Sequence, residues 1–161
     1  MKAVCFTLVF PILFVTSLQA QLEGKVYKNS FNYSSDILYT LKDGIIYKGN
    51  STYTSNIVVK IINNNIYKGN SNYSSDLLLN INDSIIRKGV SNYNSDIIAK
   101  YKEGNLFKGN SSYHSDILIN KKENNVYLKD SNYQSDIIYS FKGEITFNEF
   151  IAIWYLYYYV Y

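Results

Sequence analysis

The run Tyr67-Lys68-Gly69-Asn70-Ser71-Asn72-Tyr73-Ser74-Ser75-Asp76-Leu77-Leu78 decides the fold, because the chain repeats close variants of it. Its central tyrosine recurs as Tyr33, Tyr53, Tyr73, Tyr93, Tyr113 and Tyr133, spaced by 20 residues without slip. Around them runs the pattern S-x-Y-x-S-D, followed by two apolar residues. The register extends upstream, where Tyr27-Lys28 matches Tyr47-Lys48 and Gly24 matches Gly44. Self-similarity at a fixed period means that one supersecondary unit is being stacked, because a single unit cannot bury its own apolar face.

Ten positions beyond each tyrosine stands a turn dipeptide: Asp43-Gly44, Asn63-Asn64, Asp83-Ser84, Glu103-Gly104, Glu123-Asn124 and Gly143-Glu144, with Glu23-Gly24 ahead of the first. Asp-Gly and Asn-Asn tolerate the positive φ angles of a type I′ turn, and a leading Gly143 suits type II′. Short apolar segments flank each dipeptide, so every repeat reads as a two-residue β-hairpin. In the second hairpin residue 42 then faces 45, 41 faces 46, and 40 faces 47. Strand alternation puts Ile37, Tyr39, Leu41 and Ile46 on one face. The equivalents of Ile46 are Val26, Ile66, Ile86, Leu106 and Val126, all apolar, so this face is the expected core. Leu38, Thr40 and Tyr47 make the other, half-polar face. An isolated hairpin is marginal in water. Burial against neighbouring repeats, at ~1.5–3 kcal/mol per large apolar side chain, must supply the stability.

An open solenoid needs polar terminal caps. Here the first hairpin lacks most of its incoming strand, while the last, Ile137 to Phe147, reads as complete. Offset ends of this kind predict an all-β, closed or toroidal array of about six hairpins, a shallow barrel in which the N-terminal strand joins the C-terminal repeat. An open β-hairpin solenoid is the alternative. The unit Y-K-G-N-S-x-Y-S-S-D-[IL]-[IL] resembles the bacterial repeat proteins called β-flowers, in which hairpin petals surround a central axis. The resemblance covers Leu22 to about Phe147. It implies a fold and carries no catalytic residues. Choline-binding repeats share the period and the aromatic content but depend on tryptophan cages. The only tryptophan here, Trp154, lies outside the repeats.

The chain divides into 1–20, 21–147 and 148–161. Residues 1–20 read as a signal peptide: Lys2 supplies the positive charge, Ala3 to Leu18 is an apolar run, and Ala20 precedes Gln21 at the expected cut. The alternative is a retained anchor, for which the run is short against the ~20 residues of a spanning helix. Cys5, the only cysteine, lies within this leader, so the mature chain is expected to form no disulfide, thiolate nucleophile or cysteine metal site. Loss of Lys2 lowers the formal charge from +3 to +2, too little to argue for nucleic acid. Secretion, or residence in the periplasm or cell envelope, follows.

Thr146 and Glu149 form a capping box ahead of an apolar run from Phe150 to Val160. That run predicts a helix of about 14 residues, roughly 21 Å long. A helix apolar on every side should be buried. Plugging the β ring, with Trp154 shielded, is one reading. Docking on a partner or a lipid interface is the other, since Trp and Tyr favour interfaces.

Three ladders are candidate sites. Asp36, Asp76, Asp96, Asp116 and Asp136, with Asn56 in the second copy, could ring a divalent cation. Against this, Asn56 carries no charge, and Ser and Asp commonly bond nearby backbone N–H groups in turns. Lys28, Lys48, Lys68, Lys88 and Lys108 could meet lipid head groups or anionic glycans, or form a solvated edge whose stems cover apolar surface. The lysine ladder ends at Leu128. The tyrosines Tyr33 to Tyr133 could stack on sugars, but the reading preferred here packs them between petals with the hydroxyl at the rim. Tyr73→Ala would then cost ~3–5 kcal/mol. His114 fills a slot held elsewhere by Ser34, Thr54, Ser74, Asn94 and Gln134. The departures from symmetry, Arg87, Val90, His114, Leu128 and Asp130, form no Ser-His-Asp set, metal triad or phosphate loop. The expected function is a non-catalytic structural or binding module without a cofactor, its partner a glycan, lipid head group or protein. The alternative is an envelope-associated protein that uses the aromatic helix and the lysines.

Overall fold

A computed structural model describes residues 23–30 and 33–160. The expected signal peptide lies outside the described residues. Twelve strands alternate short and long around a ring: β1 (Gly24–Lys28), β2 (Ile37–Lys42), β3 (Ile45–Lys48), β4 (Ile57–Ile62), β5 (Asn65–Lys68), β6 (Leu77–Asn82), β7 (Ile85–Lys88), β8 (Ile97–Lys102), β9 (Asn105–Lys108), β10 (Ile117–Lys122), β11 (Asn125–Leu128) and β12 (Ile137–Lys142). Each pairs antiparallel with its neighbours in the chain, and β1 pairs with β12, so the sheet is a closed barrel with no free edge. The closed array is the observed form, and the open solenoid is not.

The hairpins have the expected register: Lys42 opposite Ile45, Leu41 opposite Ile46, and Thr40 opposite Tyr47. The first central residue of each hairpin turn has positive φ, and at Asp43 (55°) and Gly44 (71°), Asp83 (48°) and Ser84 (67°), and Glu103 (52°) and Gly104 (84°) both central residues do. The last turn departs from expectation. Gly143-Glu144 makes no hairpin, because the chain leaves β12 for the helix. The return strand of the sixth petal is instead β1, with Val26 opposite Phe141 and Tyr27 opposite Ser140. Glu23-Gly24 is correspondingly no hairpin turn, and Gly24 opens β1.

A bulge recurs wherever one petal meets the next. Ile46 faces Val59 but Tyr47 faces Ile57, so Val58 is the extra residue. The same shift recurs at the other five seams. A bulge reverses the alternation on one side of itself. It corrects the expected faces at the strand start. Ile37 turns outward opposite Tyr27, and Leu38 packs against the central core. Simple alternation had put the two the other way round.

The interior ring at Ile46 is uniform: Val26, Ile46, Ile66, Ile86, Leu106 and Val126 have no exposed surface. The outer face is covered as well, because the loops fold back across it. The Thr40 hydroxyl donates to the Gly49 carbonyl at 2.8 Å, and the Asn80 amide donates to the carbonyls of Gly89 and Ser91, both at 2.9 Å. Tyr27, Tyr47 and Phe107 are buried beneath these loops, outside the central cluster. Gly49, Gly69, Gly89 and Gly109 begin the fold-back with φ between 57° and 71°. Asn29 and Lys129 take the same conformation at the two copies without glycine.

The helix α1 (Phe147–Tyr159) starts at the expected capping box: the Thr146 hydroxyl accepts the Glu149 N–H, and the Glu149 carboxylate accepts the Thr146 N–H. Phe150, Ile151, Ala152, Ile153, Trp154 and Leu156 are all buried. Five successive residues point in every direction around a helix, so burying all of them requires apolar walls on all sides. The barrel supplies them. Near its start, the Asn148 amide donates to the Asn63 carbonyl at the β4–β5 hairpin turn, 2.8 Å away. Near its end, the Tyr157 ring meets Tyr139 and the Tyr158 hydroxyl donates to the Leu118 carbonyl. The helix therefore runs from the hairpin-turn mouth to the opposite mouth, which is the plug arrangement. Trp154 has no exposed surface.

Candidate functional site

The exposed chemistry gathers at the mouth away from the hairpin turns and on the loops beside it. Lys28, Lys48, Lys68, Lys88 and Lys108 end the short strands and are exposed. Each stands opposite an interior residue, Tyr139, Tyr39, Val59, Leu79 and Ala99 respectively, and so shares the inward face. Leu128, opposite Ile119, takes the sixth place. This cationic rim surrounds the C-terminal end of α1, where unpaired carbonyls concentrate partial negative charge. Tyr157, Tyr158 and Tyr159 emerge there, 38%, 38% and 57% exposed. Beneath them Tyr139 is fully buried. Its hydroxyl has no hydrogen-bond partner in the protein, and burial, then Tyr158 and Tyr157, pushes it well above the ordinary tyrosine value.

The loop tyrosines depart from expectation. Tyr33, Tyr53, Tyr73, Tyr93, Tyr113 and Tyr133 are between 69% and 77% exposed and do not pack between petals. The physical reason lies in the turn that carries them. In the third petal the Ser71 hydroxyl donates to Asp76 at 2.6 Å and accepts the Tyr73 N–H at 3.1 Å, while the Asp76 N–H donates to the Tyr73 carbonyl at 3.0 Å. Tyr93, Tyr113 and Tyr133 sit on the same lock, formed by Ser91–Asp96, Ser111–Asp116 and Ser131–Asp136. The polar lock faces the protein and turns the ring between its members to solvent. At Asn56 the backbone bond to Tyr53 survives at 2.8 Å without a carboxylate. The Asp ladder thus spends its oxygens on turns. Among the described residues no three His, Cys, Asp or Glu side chains approach closely enough to hold a metal ion.

His114 reaches Asp130 of the next loop, Nε2 to Oδ2 3.3 Å, and Asp130 also accepts the Asn120 amide at 2.8 Å. Two of the departures from symmetry are therefore one contact between petals. Sequence reasoning treated them separately, since only the ring places loop five beside loop six. It also missed a cleft of about 280 Å³ where the ring closes, bounded by Lys28, Lys48, Leu38, Ile138 and Tyr157 among others. These residues are remote in the chain, and the β1–β12 pairing brings them together. Among the described residues, no helix is long and apolar enough to cross a membrane.

Residues 26–154 match a family model described as a 6-fold beta flower protein, a match that runs past the repeats into the helix. Neither curated proteins nor solved structures gave a match.

Proposed function

We propose, from the premise that this chain belongs to the 6-fold beta flower family, that it is a secreted, non-catalytic binding module presenting six equivalent tyrosine contacts to a glycan surface. The observation that carries this reading is the exposure of Tyr33, Tyr53, Tyr73, Tyr93, Tyr113 and Tyr133 in all six repeats. A tyrosine ring offers a large amphipathic contact at low entropy cost, having only two side-chain torsions to fix. At least four of the six sit on serine–aspartate locks, so little backbone ordering remains to be lost on binding. Aromatic faces suit the C–H faces of sugar rings, while Ser and Asn neighbours offer hydrogen bonds to hydroxyls. Six weak contacts on one rigid ring gain through effective concentration when the target is itself repetitive. The leader-like residues 1–20 support export.

Retention on insoluble cell-wall polysaccharides tests the reading. Changing the loop tyrosines to serine one petal at a time should weaken retention in steps, and the sixfold variant should melt normally yet fail to bind. Unchanged retention by a folded sixfold variant would refute the glycan contact. A second reading rests on the lysine rim with Tyr157, Tyr158 and Tyr159, a cationic and aromatic surface of the kind that meets anionic head groups. Flotation with anionic but not neutral vesicles, abolished by glutamine at the rim lysines and indifferent to the loop tyrosines, would favour that reading instead.

A further inference from the structure

We propose that the fourth loop is a subsite for a sugar bearing an acetamido group, an inference that rests on the glycan reading and names the sugar which that reading leaves open. The six loop tyrosines are alike in exposure, but their surroundings differ. Three residues before them stand Ser30, Asn50, Asn70, Val90, Asn110 and Asp130, so the fourth copy alone is apolar. In the second loop Asn50 accepts a hydrogen bond from the Lys25 ammonium at 2.6 Å. In the sixth, Asp130 accepts the Asn120 amide and faces His114. Val90 can make neither kind of contact. It is 65% exposed and lies outside the core. A lone exposed valine is ordinary on a protein surface. This one shares a cleft with an exposed tyrosine.

That fourth-loop cleft is open-sided, about 600 Å³ in volume, and lined by Lys88, Val90, Ser91, Asn92, Tyr93 and Asp96. The volume is that of a small-molecule site, and the open side lets a sugar chain continue beyond it. Ser91 and Asp96 are committed to the turn: the Ser91 hydroxyl donates to the Asp96 carboxylate and accepts the Tyr93 N–H at 3.1 Å. They fix the backbone that carries the ring. Tyr93 offers a flat face to a sugar ring, and Val90 offers an apolar contact beside it. The side chains of Lys88 and Asn92 make no hydrogen bond or ion pair among the described residues. An acetamido group matches this set. Its methyl suits Val90, its carbonyl accepts from an ammonium such as Lys88, and its N–H donates to an amide oxygen such as that of Asn92. A plain hexose brings only hydroxyls to Val90, where they lose water without a partner. A deoxy sugar has the methyl without the polar pair. Lys88 and Asp96 carry opposite charges, so the cleft has no net charge with which to select an ionised sugar.

Isothermal titration of the full chain with the β-1,4-linked tetramer of N-acetylglucosamine, and with the matching glucose and glucosamine tetramers, tests the subsite. The acetylated tetramer should bind at least tenfold more tightly than either of the others. V90N gives the fourth loop the residue that the second, third and fifth already carry, so it should melt as the parent does. It should weaken binding of the acetylated tetramer at least fivefold and leave the glucose tetramer within twofold. N110Q, at the equivalent position of the fifth loop, should change both less than twofold. Equal affinities for the three tetramers, no binding of the acetylated one, or equal losses from V90N and N110Q would each overturn the proposal. If the tetramers bind equally while the loop tyrosines still govern retention on insoluble polysaccharide, the subsite falls and the glycan contact stands. If no tetramer binds and the sixfold tyrosine variant is retained unchanged, both fall.

Discussion

The tyrosines of the loops and those of the barrel are one residue type put to opposite uses. Tyr39 and Tyr139 point inward from long strands and are 4% and 0% exposed, whereas Tyr73, four residues before the long strand that begins at Leu77, is 72% exposed. The difference is set by the backbone. A strand position alternates faces and hands its ring to whatever lies on that face. The Ser–x–Tyr–x–Ser–Asp turn uses its polar groups on itself and leaves the ring out. Abundance of tyrosine therefore says nothing about core size until each one is assigned to strand or turn.

The strongest way to break the comparison is to remove what the inward rings pack against. Deleting residues 147–161 opens the barrel along its axis and exposes Tyr101, Tyr139 and Phe141, which contact Phe147, Phe150 and Tyr157. The truncated chain should lose its cooperative melt and bind a hydrophobic dye, and a normal melt would mean that the wall stands without its plug. Next in size is Trp154→Ala, expected to cost ~3–5 kcal/mol in chemical denaturation, as for other fully buried large aromatics. Before mutation its emission should be blue and resist quenchers.

The third test uses pH. Tyr139 ionises less readily folded than unfolded, so the folded state holds its proton to higher pH. Its contribution is complete below the unfolded value near ~10 and is lost as pH rises beyond it. Circular dichroism should show stability falling above that pH, and Tyr139→Phe should blunt the fall. At neutral pH the same variant should equal or exceed the parent by ~1 kcal/mol, since it removes a buried hydroxyl without a protein partner. The smallest effect belongs to the loops. Tyr73→Ala should stay within ~0.5 kcal/mol, as exposed substitutions do. A loss comparable to that of Trp154→Ala would show that the loop rings pack after all.

Period and hairpin register were legible in the sequence because they rest on local signals repeated along the chain; ring closure was legible from the offset ends of the array, and the capped helix from its single Thr146–Glu149 box and the apolar run behind it. The bulge at Leu38 was not, since an extra residue in a wholly apolar strand start leaves no polar marker. The return of β1 to β12 explains the misread turn at Gly143: its composition suits a hairpin, but β1 already occupies the place the returning strand would take. Candidate sites were legible as ladders and not as places. The inward direction of the lysines depends on pairing, the exposure of the tyrosines on the turn lock, and the cleft on residues from both ends of the repeat array.

The closure of β1 on β12 also fixes an order of events. Five petals can form from neighbouring segments as the chain is made, each closing a loop of a few residues. The sixth must wait until Lys25 meets Lys142, across nearly the whole repeat array. Closing so long a loop in place of one of a few residues costs about 3 kcal/mol more, because the entropic cost grows only with the logarithm of loop length. The penalty in time is larger, because distant contacts form late. Until then the two end strands carry bare edges and the apolar helix has no enclosure, so the interval before closure is when this protein is most open to joining another copy of itself.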